Sequence, residues 1–178
     1  RVDVSHFGSM ITLLSVPVNC ALVLGKAFYK HERAKARNPL FNWYCCQDGK
    51  WIDLGMIEPD RYWHDFCRVL GIEHLEKDPR FKDAESRKQH NEEVIAVLDR
   101  AFASRPREEW VKLLNEGGDF IFTYVNDTTE VGNDPMALAN DYVIEIDHPE
   151  WGHVKQVGFP VSLSETPLGF RSCAPTLG

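Results

Sequence analysis

The sequence has no C-x-x-C pair, no excess of basic residues, no glycine-rich phosphate loop and no unbroken apolar run long enough to span a bilayer. Each absence removes a class of function. Five cysteines, Cys20, Cys45, Cys46, Cys67 and Cys173, are sparse and odd in number, so a secreted disulfide scaffold is not expected and a reducing cytoplasm fits better. A formal charge of −7 argues against a general nucleic-acid binder. Met10 to Leu24 is rich in apolar residues, but Thr12, Ser15, Pro17 and Asn19 interrupt it, so no membrane association and no secretion are expected. Internal repeats, low-complexity stretches, G-x-S-x-G and the dinucleotide fingerprint are all missing. Arg1 stands where an initiator methionine would, which fits a chain trimmed or cut from a longer one.

What is present is ordinary globular material: 178 residues, 43% hydrophobic and 26% charged. A chain of this length buries roughly 70% of its unfolded surface, so its core needs neither disulfide nor metal. The charge is uneven. Residues 1–58 carry seven basic and five acidic side chains, whereas residues 59–178 carry thirteen and twenty-two. Lys26, Lys30, Arg33, Lys35 and Arg37 stand close together against Glu32 alone. Such a cluster can meet phosphates, and a solvated surface segment is the plainer account of it.

The hydrophobic pattern predicts an α+β chain. Val4, Phe7, Met10, Ile11, Leu14, Val18, Ala21 and Leu22 recur at the helical period, predicting one long helix kinked at Pro17, stopped at Gly25 and buried against something large. Phe41–Gln47 and Lys50–Leu54 flank Asp48-Gly49, which predicts a β-hairpin closed by a two-residue type I′ turn. Three helices follow. The first opens at Pro59, stops at Gly71 and turns Tyr62, Trp63, Phe66, Val69 and Leu70 to one face. The second is continuous from Ser86 to Ser104, with Val94, Ile95, Leu98, Ala101 and Phe102 inward, and the third follows Pro106 with Trp110, Leu113 and Leu114. A short strand is expected around Phe120 to Val125. Tyr142, Ile144 and Ile146 alternate with polar neighbours as in a half-buried strand, paired across Pro149–Gly152 with His153–Gly158, and an extended Ser/Thr/Pro/Gly-rich tail follows.

Candidate chemistry is thin. His64 and Cys67, three apart on a helix, present two metal-type ligands without a third or fourth, so a core cysteine beside a surface histidine accounts for them and no metal is expected. Cys45 and Cys46 are neighbours in a strand and point to opposite faces, at least one inward. His90 has no second histidine at metalloprotease spacing, and Glu108-Glu109 suit the first turn of a helix. Asp147-His148 has the residue types of an acid/base dyad but lies at a strand end before Pro149, where turn residues gather.

An ordered set of short segments carries more information. Val2-Asp3-Val4-Ser5 opens the chain, and Asn38-Pro39-Leu40-Phe41-Asn42-Trp43-Tyr44 leads into Asp48-Gly49-Lys50-Trp51-Ile52. Leu70-Gly71, Asp78-Pro79-Arg80-Phe81, Glu108-Glu109-Trp110, Val125-Asn126-Asp127, Asn133-Asp134-Pro135, Asp147-His148-Pro149, Ser164-Glu165-Thr166-Pro167 and Ala174-Pro175-Thr176-Leu177-Gly178 follow in order. Each segment is a few common residues. Together, along nearly the whole chain, they resemble the C-terminal part of a class III CoA-transferase, the family of formyl-CoA and carnitine CoA-transferases and methylacyl-CoA racemases.

That resemblance implies the small domain and return segment of the fold. Residues 1–37 would be a helical segment of the large domain, 38–140 the small α+β domain, and 141–178 a C-terminal β-hairpin and tail. In the family an aspartate accepts the acyl group as a mixed anhydride that the coenzyme A thiolate then attacks. That aspartate precedes the Val2-Asp3-Val4-Ser5 segment, so Asp3 is not its counterpart and no catalytic residue is expected in this chain. The loop Asn38, Pro39, Leu40 through Tyr44 would lie over the active site as a lid. It lacks the glycine-rich version of the formyl-type enzymes, which implies a stiffer lid. Gly117-Gly118-Asp119-Phe120 departs from the proline-bearing turn usual in relatives. Lys26, Lys30, Arg33, Lys35 and Arg37 would be candidates for the phosphates of coenzyme A, a (co)substrate in the full-length family, and no covalently bound cofactor is expected. The expected partners are acyl-CoA, coenzyme A and a second copy of the chain. Two other readings stand beside this one: a stand-alone, non-catalytic binding or oligomerisation module derived from the family, and a different enzyme using Asp147-His148 or His64-Cys67.

Overall fold

A computed structural model describes residues 3–28 and 30–173. The α+β class expected from the sequence is what forms: seven α-helices and two small antiparallel sheets among the described residues. α1 (His6–Leu13) and α2 (Ser15–Leu24) come first, then β1 (Phe41–Cys45) and β2 (Trp51–Gly55). The helical middle holds α3 (Pro59–Leu70), α4 (Ala84–Gln89), α5 (Asn91–Phe102) and α6 (Arg107–Gly117). β3 (Phe122–Val125), α7 (Pro135–Ala139), β4 (Val143–His148) and β5 (Gly152–Val157) complete the order.

The hairpin forms with Cys45 opposite Trp51 and Phe41 opposite Gly55, and β3 adds to the free edge of β2. Its turn differs from the sequence expectation. Gly49 alone has positive φ, at 76°, and Asp48 does not, so a type I′ turn is excluded. Instead Gly49 N–H donates to Cys46 O at 3.0 Å and Cys46 N–H to Lys50 O at 2.8 Å. This is the three-residue connection in which a type I turn is followed by a left-handed glycine.

Two helices also depart from expectation. The apolar N-terminal stretch is not one helix kinked at Pro17 but α1 and α2, bent by 79° at Leu14. Pro17 lies in the first turn of α2, where its missing N–H breaks no helical bond. Neither helix has a buried residue, and no single helix among the described residues is long and apolar enough to cross a membrane. The helix expected over Ser86–Ser104 divides at His90 into α4 and α5. His90 sits outside helical geometry and its ring pairs with Glu93 at 3.0 Å.

The core lies between the inner face of the three-stranded sheet and α3, α5 and α6. Period-two burial on β1 and β2 turns Asn42, Tyr44, Ile52 and Leu54 inward. α3 buries Tyr62, Trp63, Phe66, Cys67 and Leu70 and closes on Gly71 at φ 69°. Phe102 joins the layers. Its ring stacks on Tyr44 at 5.1 Å, meets Trp110 at 5.2 Å and Phe66 at 6.4 Å, and its carbonyl accepts Trp110 Nε1–H. α6 approaches α3 so closely at Gly117 that a Cβ there would fall 2.2 Å from Val69 Cγ2. β4 and β5 form a separate ribbon, His148 paired with Gly152 and Val143 with Val157. The chain from Phe159 to Cys173 is without regular structure.

One ionic tie fixes the loop after β3. Glu130 accepts from Arg107 at 2.7 Å and pairs with Lys50 at 2.7 Å, which joins the loop to the start of α6 and to the hairpin turn. Those two cations, with Arg107 first, hold the Glu130 carboxyl down at about 2. A depressed carboxylate stabilises the fold above its ordinary pKa of about 4.3 and loses that effect as pH falls toward 2. Thermal melts of wild type and Glu130→Gln should therefore differ above about pH 5 and converge near pH 2. In the core, Phe102→Ala is expected to cost about 3–5 kcal/mol in denaturant unfolding, against less than about 0.5 kcal/mol for the exposed Ile57→Ala.

Candidate functional site

The two sequence-derived groups, the basic segment and the loop 38–44, are brought together by buried Asn42. Its Oδ1 faces His31 Nε2 at 3.2 Å, and its Nδ2 donates to Arg33 O at 3.0 Å. β1 places Asn42 inward because it alternates with Phe41 and Trp43, which stay exposed. His31 then rests on the Trp43 ring, centroids 4.6 Å apart. The basic segment is thus pegged to the sheet edge.

The five cations have different environments. Arg33 is engaged: its guanidinium binds both carboxylate oxygens of Asp99 on α5 at 2.7 and 2.9 Å and lies over the Tyr44 ring. This bidentate bond raises its pKa further. Lys35 pairs with Glu32 at 3.4 Å on the surface. Lys30, Lys35 and Arg37 line an open cavity of about 620 Å³ together with His31 and Phe41. Lys26, just past the left-handed Gly25 that ends α2, is exposed and does not line it. Among the described residues, Lys30 and Arg37 make no ion pair.

The expected loop 38–44 is a turn only over residues 38–40, because Phe41–Tyr44 belong to β1, and the whole segment is anchored along its length. Asn38 Nδ2–H donates to Met56 O and Asn38 Oδ1 accepts from Leu40 N–H, each at 2.9 Å. Leu40 is fully buried, and so is Tyr44, whose hydroxyl donates to Pro39 O at 2.7 Å. Burial pushes the Tyr44 phenol above its ordinary value, so it remains a donor. Asn38, Leu40 and Tyr44 therefore set the shape of the loop, and Phe41 and Trp43 are the side chains it presents to solvent.

The other candidates resolve toward structure. Cys67 is fully buried with its thiol pushed up to about 12 by burial, and His64 points away to pair with Glu76. Cys46 is likewise buried and raised to about 12, leaving Cys45 on the other face of the strand. Asp147 does not meet His148. It pairs with His153 across the ribbon at 3.1 Å, while His148 Nδ1 accepts two turn N–H groups and its ring stacks on Trp151. Residues 174–178 of the C-terminal segment and Val2 of the first lie outside the described residues.

Sequence reasoning missed Asp99 and Arg87, and it named Asn42 only as a member of the segment 38–44, without its buried role. The contact of Asn42 with His31, and that of an aspartate on an amphipathic helix with Arg33, carry no signal until the fold brings them together. Arg87 sits on a short polar helix that reads as surface, yet it is 1% exposed.

Residues 1–178 match the model of CoA-transferase family III over their whole length. The chain belongs to that family. It is 27% identical to a (R)-2-hydroxy-4-methylpentanoate CoA-transferase of Clostridioides difficile, over all of this chain and 44% of that protein. It is 31% identical to an acyl-CoA transferase of Fusarium pseudograminearum, over all of this chain and 39% of that one. The chain therefore spans about two fifths of the length of these CoA-transferase family III relatives. A crystal structure of a CAIB/BAIF family protein from Brucella suis superposes with a TM-score of 0.76 at 23% identity, covering 94% of this chain and 42% of that one. The match establishes the shared fold.

The Asn42 peg gives a direct test. Asn42→Ala leaves the Arg33 carbonyl without its donor and should destabilise the chain by about 1–3 kcal/mol. Amide exchange should quicken over residues 30–37 while α3 and α5 remain protected.

Proposed function

We propose that this chain is the C-terminal portion of a class III acyl-CoA transferase. It contributes the small domain and the shield over the reacting centre, and the acyl-accepting aspartate is supplied by residues outside it. The observation that carries this reading is the end-to-end match to about two fifths of relatives that are themselves CoA-transferases. The relatives exchange coenzyme A among carboxylic acids, and the reaction class taken here is that exchange, with the particular acids left open.

The division of labour follows from the chemistry. A mixed anhydride is attacked by a thiolate and by water alike, so transfer in place of hydrolysis requires that water be kept away. The loop 38–44, latched through Asn38 and Tyr44 and faced by Phe41 and Trp43, is suited to that shielding. Its fixed hydrogen bonds support a stiff lid. Lys26, Lys30 and Arg37 remain available to coenzyme A phosphates, whereas Lys35 is paired with Glu32 and Arg33, bound to Asp99, acts through the position of the segment. Residues 1–37, 38–140 and 141–178 act as large-domain helix, small domain and return segment. Val4 just ahead of α1, with Phe7, Leu13, Val16, Leu22 and Val23 on α1 and α2, are exposed, which supports an assembled protein, taken here as a homo-oligomer. Five unpaired cysteines support a reducing cytoplasm.

The purified chain alone should exchange no coenzyme A between an acyl-CoA and a free acid. Co-expressed with the N-terminal portion of a relative, it should do so. Turnover by the chain alone overturns the proposal, and failure of complementation despite co-purification favours the non-catalytic module. In the complemented enzyme, Asn38→Ala should raise acyl-CoA hydrolysis several-fold relative to transfer, because the loop loses its latch to Met56.

A further inference from the structure

The three-stranded sheet has a second face, turned away from the core. Directly opposed residues of antiparallel strands share a side. Trp43 pairs with Asp53 and Asp53 with Thr123, while Cys45 pairs with Trp51 and Trp51 with Val125, so these residues lie on the side opposite to buried Tyr44, Ile52 and Leu54. Phe41, Trp43 and Val125 are exposed there. Ile121 reaches over Gly55 at the end of the same face, since a Cβ on Gly55 would fall 3.1 Å from Ile121 Cγ2. The surface is apolar and aromatic, and paired strands hold it in shape.

Asp53 stands at the centre of this face. Among the side chains that the three strands turn to it, Asp53 is the one that carries a full charge. Trp43 lies directly across, with Cβ atoms about 5 Å apart, and Trp51 precedes Asp53 by two residues, about 7 Å along the strand. Asp53 is half-buried, and among the described residues it makes no hydrogen bond and no ion pair. Loss of water holds its carboxyl above the usual carboxylate range, an effect opposed by His31, which rests on Trp43. Aspartate is a poor strand former, and one left unpaired beside two indoles contributes nothing to the fold. Its charge favours a positive ligand group and opposes a negative one.

We propose that this face receives the body of the carboxylic acid undergoing exchange, and that Asp53 sorts those acids by charge. A body that is apolar, aromatic or positively charged is accepted, and a second carboxylate is turned away. The proposal deepens the transferase reading and rests on it for the identity of the ligand as an acid. The link is Phe41 and Trp43, which shield the reacting centre in that reading and lie on this same face. The rings of Trp43 and Trp51 supply contact area for an apolar body and a π-surface for a cation. Asp53 acts by attraction and repulsion alone and takes no part in the exchange, so it is a specificity-determining residue.

The test uses three probes that share a phenyl ring and differ in charge: phenethylammonium, 2-phenylethanol and 3-phenylpropionate. Each is titrated into the whole chain at low salt and followed by amide shifts. All should move residues 41–45, 51–55 and 121–125, with the cation about fivefold tighter than the alcohol and the anion about fivefold weaker. Asp53→Asn, a near-isosteric change at a half-exposed position, should bring the three within about twofold of one another. Glu150→Gln, in the turn of the ribbon, should leave the order as it is. The proposal is overturned if no probe moves those residues at tens of millimolar, or if the order is absent from wild type or survives in Asp53→Asn. In the complemented enzyme, Asp53→Asn should raise kcat/KM for a dicarboxylic acid about fivefold relative to its monocarboxylic counterpart. An unchanged ratio, with the probes still sorted by wild type, removes the acid from this face and leaves the transferase role standing. Probes sorted by a chain that never complements remove that role and leave the charge preference of the face standing.

Discussion

The ring of Phe102 is the point through which the sheet, the helices and the loop 38–44 are held in one arrangement. It sits at the end of α5 and touches an aromatic from β1, one from α3 and one from α6. Because interiors are close-packed, the ring fixes the distance between these layers. Tyr44 passes that constraint outward. One side of it stacks on Phe102, and its hydroxyl holds the Pro39 carbonyl. The shape of the segment 38–44, and of the Phe41 and Trp43 side chains it exposes, is therefore set from the core.

A second constraint fixes the basic segment laterally. Buried Asn42 can satisfy its amide only by bonding the neighbouring segment, and it takes His31 and the Arg33 carbonyl. The Arg33–Asp99 bond then sews the same segment to α5. Charge that a solvated coil would scatter is held along one edge of the sheet. The consequence for chemistry is pre-organisation: a ligand meeting these cations does not have to order the chain that carries them.

How legible this was in the sequence depended on the range of the interactions. Pro59 and Gly71 bracket α3 within a turn of each end, and the apolar periods of α5 and α6 name the residues that face the core, Ala101 and Leu113 among them only partly buried. The ordered segments pointed to the family that the whole-length match establishes. Local signals failed where a competing local interaction won. Asp48-Gly49 has the composition of a type I′ turn, but with Asp48 at negative φ the loop takes one residue more. The run from Ser86 to Ser104 reads as one helix, yet it breaks at His90, whose ring pairs with Glu93. At the candidate site, the charge cluster was visible and its sorting was not. Which arginine is spent on Asp99 and which is left facing a cavity depends on residues more than sixty positions apart.

The two sheets share no strand, and the ribbon of β4 and β5 meets the rest mainly through α7 and through Lys155, which reaches Gly132 O and Asn133. A chain built in this way has two cooperative units of unequal depth. The ribbon can open and close while the aromatic centre stays intact, so unfolding that starts at the C-terminal end need not reach the part that shapes residues 38–44.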